Sequence, residues 1–154
     1  MRRTDKEITD RAEIESIIQR SLVCRLGMVD ENRPYIVPLS FGYKDNTLYF
    51  HSANQGRKID ILKKNHTVCF EFDIDCEPIK ADNPCEWGMK YKSVIGFGKA
   101  YLVDDFEAKC AALDLIMQQY SEGTFDYLET KIKNILVIRV EIEHMAGKQS
   151  GEFA

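Results

Sequence analysis

The densest set of chemistry-bearing residues lies in LYFHSANQGRKIDILKKN, residues 48 to 65, where His51, Ser52, Ala53, Asn54, Gly56, Arg57 and Lys58 follow one another closely. The stretch reads as a strand end, a short polar loop, and a helix whose first turn carries two cations. A helix N-terminus is the positive end of the macrodipole, so each cation there costs about 0.3–1 kcal/mol. A bound anion would reverse that sign, because free backbone N–H groups, a hydroxyl and a forked guanidinium together make a phosphate cradle. A solvated turn whose bases pair with nearby acids accounts for the same residues, and spacing alone does not separate the two. In the strand, Leu48 and Phe50 share one face and Tyr49 and His51 the other, giving a core side and a site side. Histidine ordinarily titrates near neutrality, which makes His51 a candidate proton donor on the site side.

Two further segments carry usable groups. In RPYIVPLSFGY, residues 33 to 43, Pro38 removes one ladder donor and belongs on an edge or at a bulge. Backbone polar groups from Val37 through Pro38 and Leu39 to Ser40 can then pair with a planar heterocycle, or the segment is simply a bulged edge. In KYKSVIGFG, residues 90 to 98, Lys92 and Ser93 offer a cation and a donor to an electron-rich ring, or are surface residues. Trp87 and Tyr91 fit either stacking or packing.

Other chemistries find no support. No Ser-His-Asp or Cys-His pattern is visible, and there is no GxGxxG fingerprint. Cys24, Cys69, Cys76, Cys85 and Cys110 are odd in number and irregularly spaced, which points to reduced thiols. His66, Cys69, Cys76 and Cys85 fit no usual zinc spacing, so no metal is expected. A formal net charge of −4 speaks against generalised nucleic-acid binding. The N-terminal MRRTDKEITDRAEIESII lacks an uninterrupted apolar region, and no run has the length of a membrane span, so the expected compartment is the cytoplasm.

The elements that must position these groups follow from periodicity. Asp10 and Glu13 form a capping box for a helix with Ile14, Ile17, Ile18 and Leu22 on one face. Strands are expected at 22–29, 33–43 and 47–52, with Asp45 and Asn46 as the hairpin turn. A short helix at 57–65 turns Ile59, Ile61 and Leu62 inward, with Asn65 as its C-cap. A fourth strand covers 67–74, and Asp75 to Met89, containing Pro78 and Pro84, reads as a long loop of the lid or interface-arm kind. Residues 90–103 form a long fifth strand whose Gly96 and Gly98 suggest a barrel bend or a close approach. Asp104 and Glu107 cap a helix on which Phe106, Cys110, Leu113, Met117 and Tyr120 recur, a shorter helical piece follows in FDYLETKI, and a final strand runs over 134–145. Residues from Gly147 onward read as a frayed tail of a single domain whose core covers about 10–145. Six strands in meander order with three or four helices imply an α+β fold, an antiparallel sheet closed as a small barrel.

The motifs RPYIVPLSFGY, LYFHSANQGRKIDILKKN, VCFEF and KYKSVIGFGKA, in that order, resemble the FMN-binding split-barrel family related to pyridoxamine 5′-phosphate oxidases, and within it the nitroimidazole-resistance proteins. The resemblance implies a six-stranded split barrel with flanking helices and a homodimer with FMN in the groove between subunits. By position it assigns Pro38 to Ser40 to the strand along the flavin ring. It assigns His51, Ser52, Ala53, Arg57 and Lys58 to the phosphate side, with His51 also beside the flavin. Lys92 and Ser93 match the segment near the ring from the fifth strand, and the partner's 75–89 segment is a candidate for part of the wall. The oxidases proper carry a C-terminal Arg- and His-containing substrate segment where this chain reads EHMAGKQSGEFA, so vitamin oxidation is not implied.

Two functions remain open on this reading. One is a flavin-dependent oxidoreductase, reduced by a nicotinamide or another donor that binds transiently, passing electrons to a small acceptor such as a nitroimidazole or another nitroaromatic. The other is a binding or sensing protein for flavin, deazaflavin or haem without turnover. Haem would need an axial ligand, for which His144 is the candidate.

Overall fold

The computed structural model describes residues 4 to 153. A short 3-10 turn leads into β1 (Glu7–Ile8) and then α1 (Arg11–Arg20). Asp10 caps α1 through a carboxylate oxygen that accepts from the Ala12 N–H at 3.2 Å. Glu13 does not complete the capping box; it accepts instead from Lys92 Nζ at 2.7 Å. Ile14, Ile17 and Ile18 form the buried face. Leu22, expected on that face, lies beyond the helix end and is 73% exposed. The helix stops at Ser21, whose Oγ donates to the Ile17 carbonyl.

The meander comprises β2 (Cys24–Asp30), β3 (Arg33–Leu39), β4 (Gly42–Lys44) and β5 (Thr47–Ala53). The expected second strand is therefore two: Phe41 turns fully into the core and breaks the run between Leu39 and Gly42. Asp45 and Asn46 take φ of 48° and 61°, the left-handed pair that a tight hairpin requires. Next come α2 (Arg57–Lys64), β6 (Thr67–Ile79), β7 (Gly88–Val103), α3 (Phe106–Tyr120), α4 (Glu129–Ile132) and β8 (Ile135–Ser150).

Eight strands form one antiparallel sheet in the order β3-β2-β6-β7-β8-β5-β4, with β1 beside β8. The two ends of that path, β3 and β4, are joined by only Ser40 and Phe41, so the sheet must curl back on itself without pairing its last two edges. This is the split of the expected barrel, and the two additional strands are β1 and the short β4. Inside lie Phe41, Phe50, Phe70 and Phe72, with the Phe41 and Phe72 rings 4.8 Å apart edge to face. Gly96 admits this packing, since a Cβ there would stand 2.1 Å from Phe70 Cζ. Beside it, the β7–β8 register shifts between Phe97 and Gly98, which provides the expected bend.

Three expectations are corrected. Residues 75 to 89 are mostly not loop: β6 runs to Ile79 and β7 begins at Gly88, so only a short tip remains on an extended hairpin arm. The pairing resumes after a bulge between Ile74 and Glu77, where Asp75 has φ of 57°. The tail is not frayed at Gly147, because β8 continues to Ser150 between β7 and β1, and Gly147 pairs with Ile8. Backbone ladders hold this segment where apolar patterning gave no signal. Finally, α3 is capped by Asp105, not Asp104, and its buried positions are Lys109, Ala112 and Ile116, while Phe106 and Tyr120 are half exposed. The helix is turned by its close contact with β4: a Cβ on Gly42 would lie 2.6 Å from the Leu115 carbonyl carbon.

Candidate functional site

Strand alternation decides which of the singled-out side chains can meet. On β5, Leu48, Phe50 and Ser52 face the core, while His51 and Ala53 are exposed on the outer face. Ser52 is thus enclosed and does not share the face of its neighbour His51. The loop 54–56 is exposed and ends at Gly56, the α2 N-cap, with φ of 125°. No side chain caps α2, which leaves its first N–H groups to solvent or a ligand. Arg57 and Lys58 occupy its first turn, and burial of Ile59, Ile61 and Leu62 fixes the helix against the barrel.

Arg57 reaches back to the β2–β3 hairpin. Its guanidinium carbon sits 4.5 Å from the Tyr35 ring centroid, and its Nη2 is 3.7 Å from Asp30 Oδ2. Both groups of this pair are partly exposed, where such contacts are worth at most about 1 kcal/mol. Asp30 and Tyr35 were not among the residues singled out; the signal available was only that both border the turn at the start of β3.

From Tyr35, β3 runs past Val37 to Ser40 along the open edge of the sheet, its one partner being β2. Val37 and Leu39 pack inward against the core, and Ile36, Pro38 and Ser40 are exposed. Pro38 therefore lies on an edge, where its missing donor costs least. Pro38 lies three positions on from Tyr35, about 10 Å of strand at ~3.3 Å per residue.

Beyond Pro38 the register continues across the sheet to Arg25 and then Glu71. Arg25 pairs with both Glu71 and Asp73. Asp73 in turn stands across from Ser93 on β7. Burial, together with the charge of Asp73, raises the Glu71 carboxyl above its ordinary range, against the opposing pull of Arg25. Cys76 donates to Asp73 Oδ2 at 3.0 Å, and that bond with added burial pushes its thiol up to about 11, leaving it protonated and a poor nucleophile at neutral pH. Burial likewise raises Cys24 and Cys69. All five cysteines are free.

Lys92 and Ser93 do not act as a pair. Ser93 lies in the outer-face register beside Asp73, whereas Lys92 faces the opposite side, held by Glu13 and 4.8 Å from the Phe153 ring centroid. Within one chain this end of β7 is also remote from His51: His51 pairs with Val137 and Lys92 with Gln149, separated by about 40 Å of β8 contour at ~3.3 Å per residue. The α2 start and the β3 edge thus adjoin in one chain, while His51 and Lys92 stand at opposite ends of β8.

The outer face between these segments is apolar. Ile36, Gly27, Cys69 and Phe97 form one register row across β3, β2, β6 and β7, and His144 is the next position on β8. Ile36 is 62% exposed and Phe97 49% exposed, and they border a hollow of about 480 Å³. Among the described residues no group of three His, Cys, Asp or Glu is arranged to hold a metal, and no helix is long and apolar enough to cross a membrane.

Residues 10–149 match the family model described as pyridoxamine 5′-phosphate oxidase. Among solved structures, a candidate 5-nitroimidazole antibiotic resistance protein of Bacteroides thetaiotaomicron is 37% identical, with a TM-score of 0.84 over 93% of this chain and 86% of that one. A flavocytochrome of Azotobacter vinelandii is 17% identical, with a TM-score of 0.87 over 99% of this chain and 72% of that one. A FAD and haem binding protein of Mycobacterium smegmatis is 17% identical, with a TM-score of 0.86 over 96% of this chain and 75% of that one. The last two likenesses bear on the fold alone. No curated protein matches the chain.

Proposed function

The chain belongs to the pyridoxamine 5′-phosphate oxidase family, and from that premise we propose that it is a homodimeric FMN protein that passes electrons to a small acceptor, a nitroimidazole or related nitroaromatic. The observation that carries this reading is the start of α2, where two cations occupy the first turn and the N–H groups have no side-chain cap, next to an exposed loop. That donor set fits a phosphate monoester, which neutralises both cations and satisfies the helix end at once.

In this reading Arg57, Lys58 and the first N–H groups of α2 hold the phosphate. The ring lies along β3, where backbone groups from Val37 to Ser40 meet its polar edge. FMN, when bound, supplies the electron-transfer chemistry, and the protein supplies its orientation and surroundings. His51, exposed on the outer face of β5, is the candidate acid and donates a proton from its imidazole to the acceptor. The Ile36–Phe97 face is covered by the second subunit, which excludes water from the groove. Because Ser93 and Lys92 lie far from His51 within one chain, they reach a flavin beside His51 only from the partner.

The choice of acceptor rests on the similarity to the candidate nitroimidazole resistance protein. Replacing Arg57 and Lys58 together with Ala is expected to weaken FMN binding at least ~30-fold, from the loss of two charge-assisted contacts, with no change in the folded far-UV spectrum. Equal FMN affinity in the double variant overturns the phosphate assignment. Steady-state oxidation of a reduced nicotinamide with a nitroimidazole present then tests turnover.

A further inference from the structure

The C-terminal turn of α3 meets the link of Ser40 and Phe41 that joins β3 to β4 at the split of the barrel. Tyr120 ends the helix, and its phenol oxygen accepts from the Phe41 N–H at 3.0 Å while its O–H donates to the Leu22 carbonyl at 3.0 Å. Gln119 beside it donates through Nε2 to the carbonyls of Gln19 and Ser21, at 2.9 and 3.0 Å. Gln119 thus holds the link between α1 and β2, and Tyr120 ties that link to Phe41.

Ladder pairing of β3 ends at Leu39, across from Cys24, and Ser40 lies beyond it, exposed. Phe41 is fully buried, its ring edge to face with Phe72 at 4.8 Å and with Tyr120 at 6.3 Å. Burial anchors the Phe41 side chain, but the peptide joining it to Ser40 can still turn about the dihedrals on either side. The Tyr120 hydroxyl removes that freedom. In a planar trans peptide the N–H of Phe41 and the C=O of Ser40 point in opposite directions, so holding the one aims the other.

In the proposed flavin site the backbone from Val37 to Ser40 meets the polar edge of the ring, and the Ser40 carbonyl is the last acceptor of that run. We propose that Tyr120 is a positioning residue for the ring, an assignment that rests on the proposed flavin site and extends it to α3. Its hydroxyl acts through the Ser40–Phe41 peptide rather than by contact with the ring. The bond to the Leu22 carbonyl commits the phenol proton, so that a lone pair of the oxygen is left for the Phe41 N–H. The helix that closes one end of the barrel thereby sets the direction of a backbone acceptor on the open edge.

Tyr120→Phe removes the hydroxyl and keeps the ring that packs on Phe41. In the ligand-free protein, amide hydrogen exchange followed by NMR should be at least ~10-fold faster at Phe41 in the variant. Titrated with FMN and with riboflavin, the variant should bind both more weakly by the same factor, about fivefold or more, because the loss falls on the ring that the two share. The visible absorption band of bound FMN should change shape with it. Gln119→Ala is the control: it loosens the α1–β2 link and lowers urea stability, while both flavin affinities and the visible band stay at the parent values. Unchanged exchange at Phe41, parent-like riboflavin affinity in Tyr120→Phe, weakening of FMN alone, or equal weakening in Gln119→Ala overturns the assignment while the flavin site stands. A parent chain that binds neither flavin overturns the flavin site itself, and the role of Tyr120 with it.

Discussion

The guanidinium of Arg57 lies 4.5 Å over the ring of Tyr35 and 3.7 Å from a carboxylate oxygen of Asp30. This contact joins the first turn of α2 to the edge strand β3, so that the cation end and the backbone edge of the proposed site become parts of one surface. It also sets two roles for Arg57 against each other. If the pair with Asp30 is its purpose, removing Asp30 weakens the protein and does nothing for ligands. If it holds a phosphate, Asp30 competes with that phosphate. Asp30→Asn should therefore tighten FMN binding roughly two- to fivefold at low salt, the effect of removing one partly screened charge. Stability should fall by less than ~1 kcal/mol, as for other exposed pairs. Fluorescence titration checks the first and urea melting the second.

The row from Ile36 to Phe97 is proposed as the subunit interface. Phe97→Asp places a charge in its centre, at a side chain already half exposed in the monomer, so folding should be little affected while association is lost. Light scattering at micromolar protein should give a dimer for the parent chain and a monomer for the variant. FMN affinity should fall with it, because the groove then lacks its second wall.

Gly42 should be among the least replaceable residues of the fold. A Cβ there meets the Leu115 carbonyl carbon at 2.6 Å and the Ile116 nitrogen at 2.7 Å, both backbone atoms of α3 that cannot rotate away. Gly42→Ala should cost roughly 1–3 kcal/mol by displacing the helix. Gly88→Ala is the control, since its nearest neighbour would be Ile79 Cδ1 at an ordinary 3.7 Å. Urea midpoints of the two variants decide the matter.

Glu71 should leave a signature in the pH dependence of stability. Burial first, and then the charge of Asp73, hold its folded carboxyl above the ordinary value of 4.5. The folded chain therefore retains this proton at a pH where the unfolded chain has released it. Its contribution to stability is full below 4.5 and is lost as pH rises through the folded value. Glu71→Gln removes that loss, so urea stabilities of variant and parent should diverge in favour of the variant as pH rises above 4.5. A difference that stays constant with pH contradicts the assignment.

Local patterning made much of this fold legible. The Asp45–Asn46 turn, the inward set Ile59, Ile61 and Leu62, and the glycines that bend β7 all follow from short-range rules. What escaped depends on contacts distant in sequence. The tail from Gly147 is ordered by ladders to β1 and β7. The buried face of α3 is set by the approach to Gly42, not by the spacing of its largest side chains. For the candidate site, the motifs located the segments but not the directions of their side chains. His51 and Ser52, like Lys92 and Ser93, are neighbours in sequence and face opposite sides of the sheet. Asp30 lies outside the motifs and Tyr35 inside one without being marked by it, and the relevance of both arises only from their contacts with Arg57.

The central claim, that the start of α2 holds the phosphate of a flavin, is tested most directly by titrating the ligand-free protein with FMN and with riboflavin, following quenching of flavin fluorescence. The two ligands share the ring and differ in the phosphate. FMN should bind at least ~100-fold more tightly than riboflavin, the contribution of two charge-assisted contacts and a helix N-terminus. Equal affinity for the two, or no binding of FMN at all, would contradict the account.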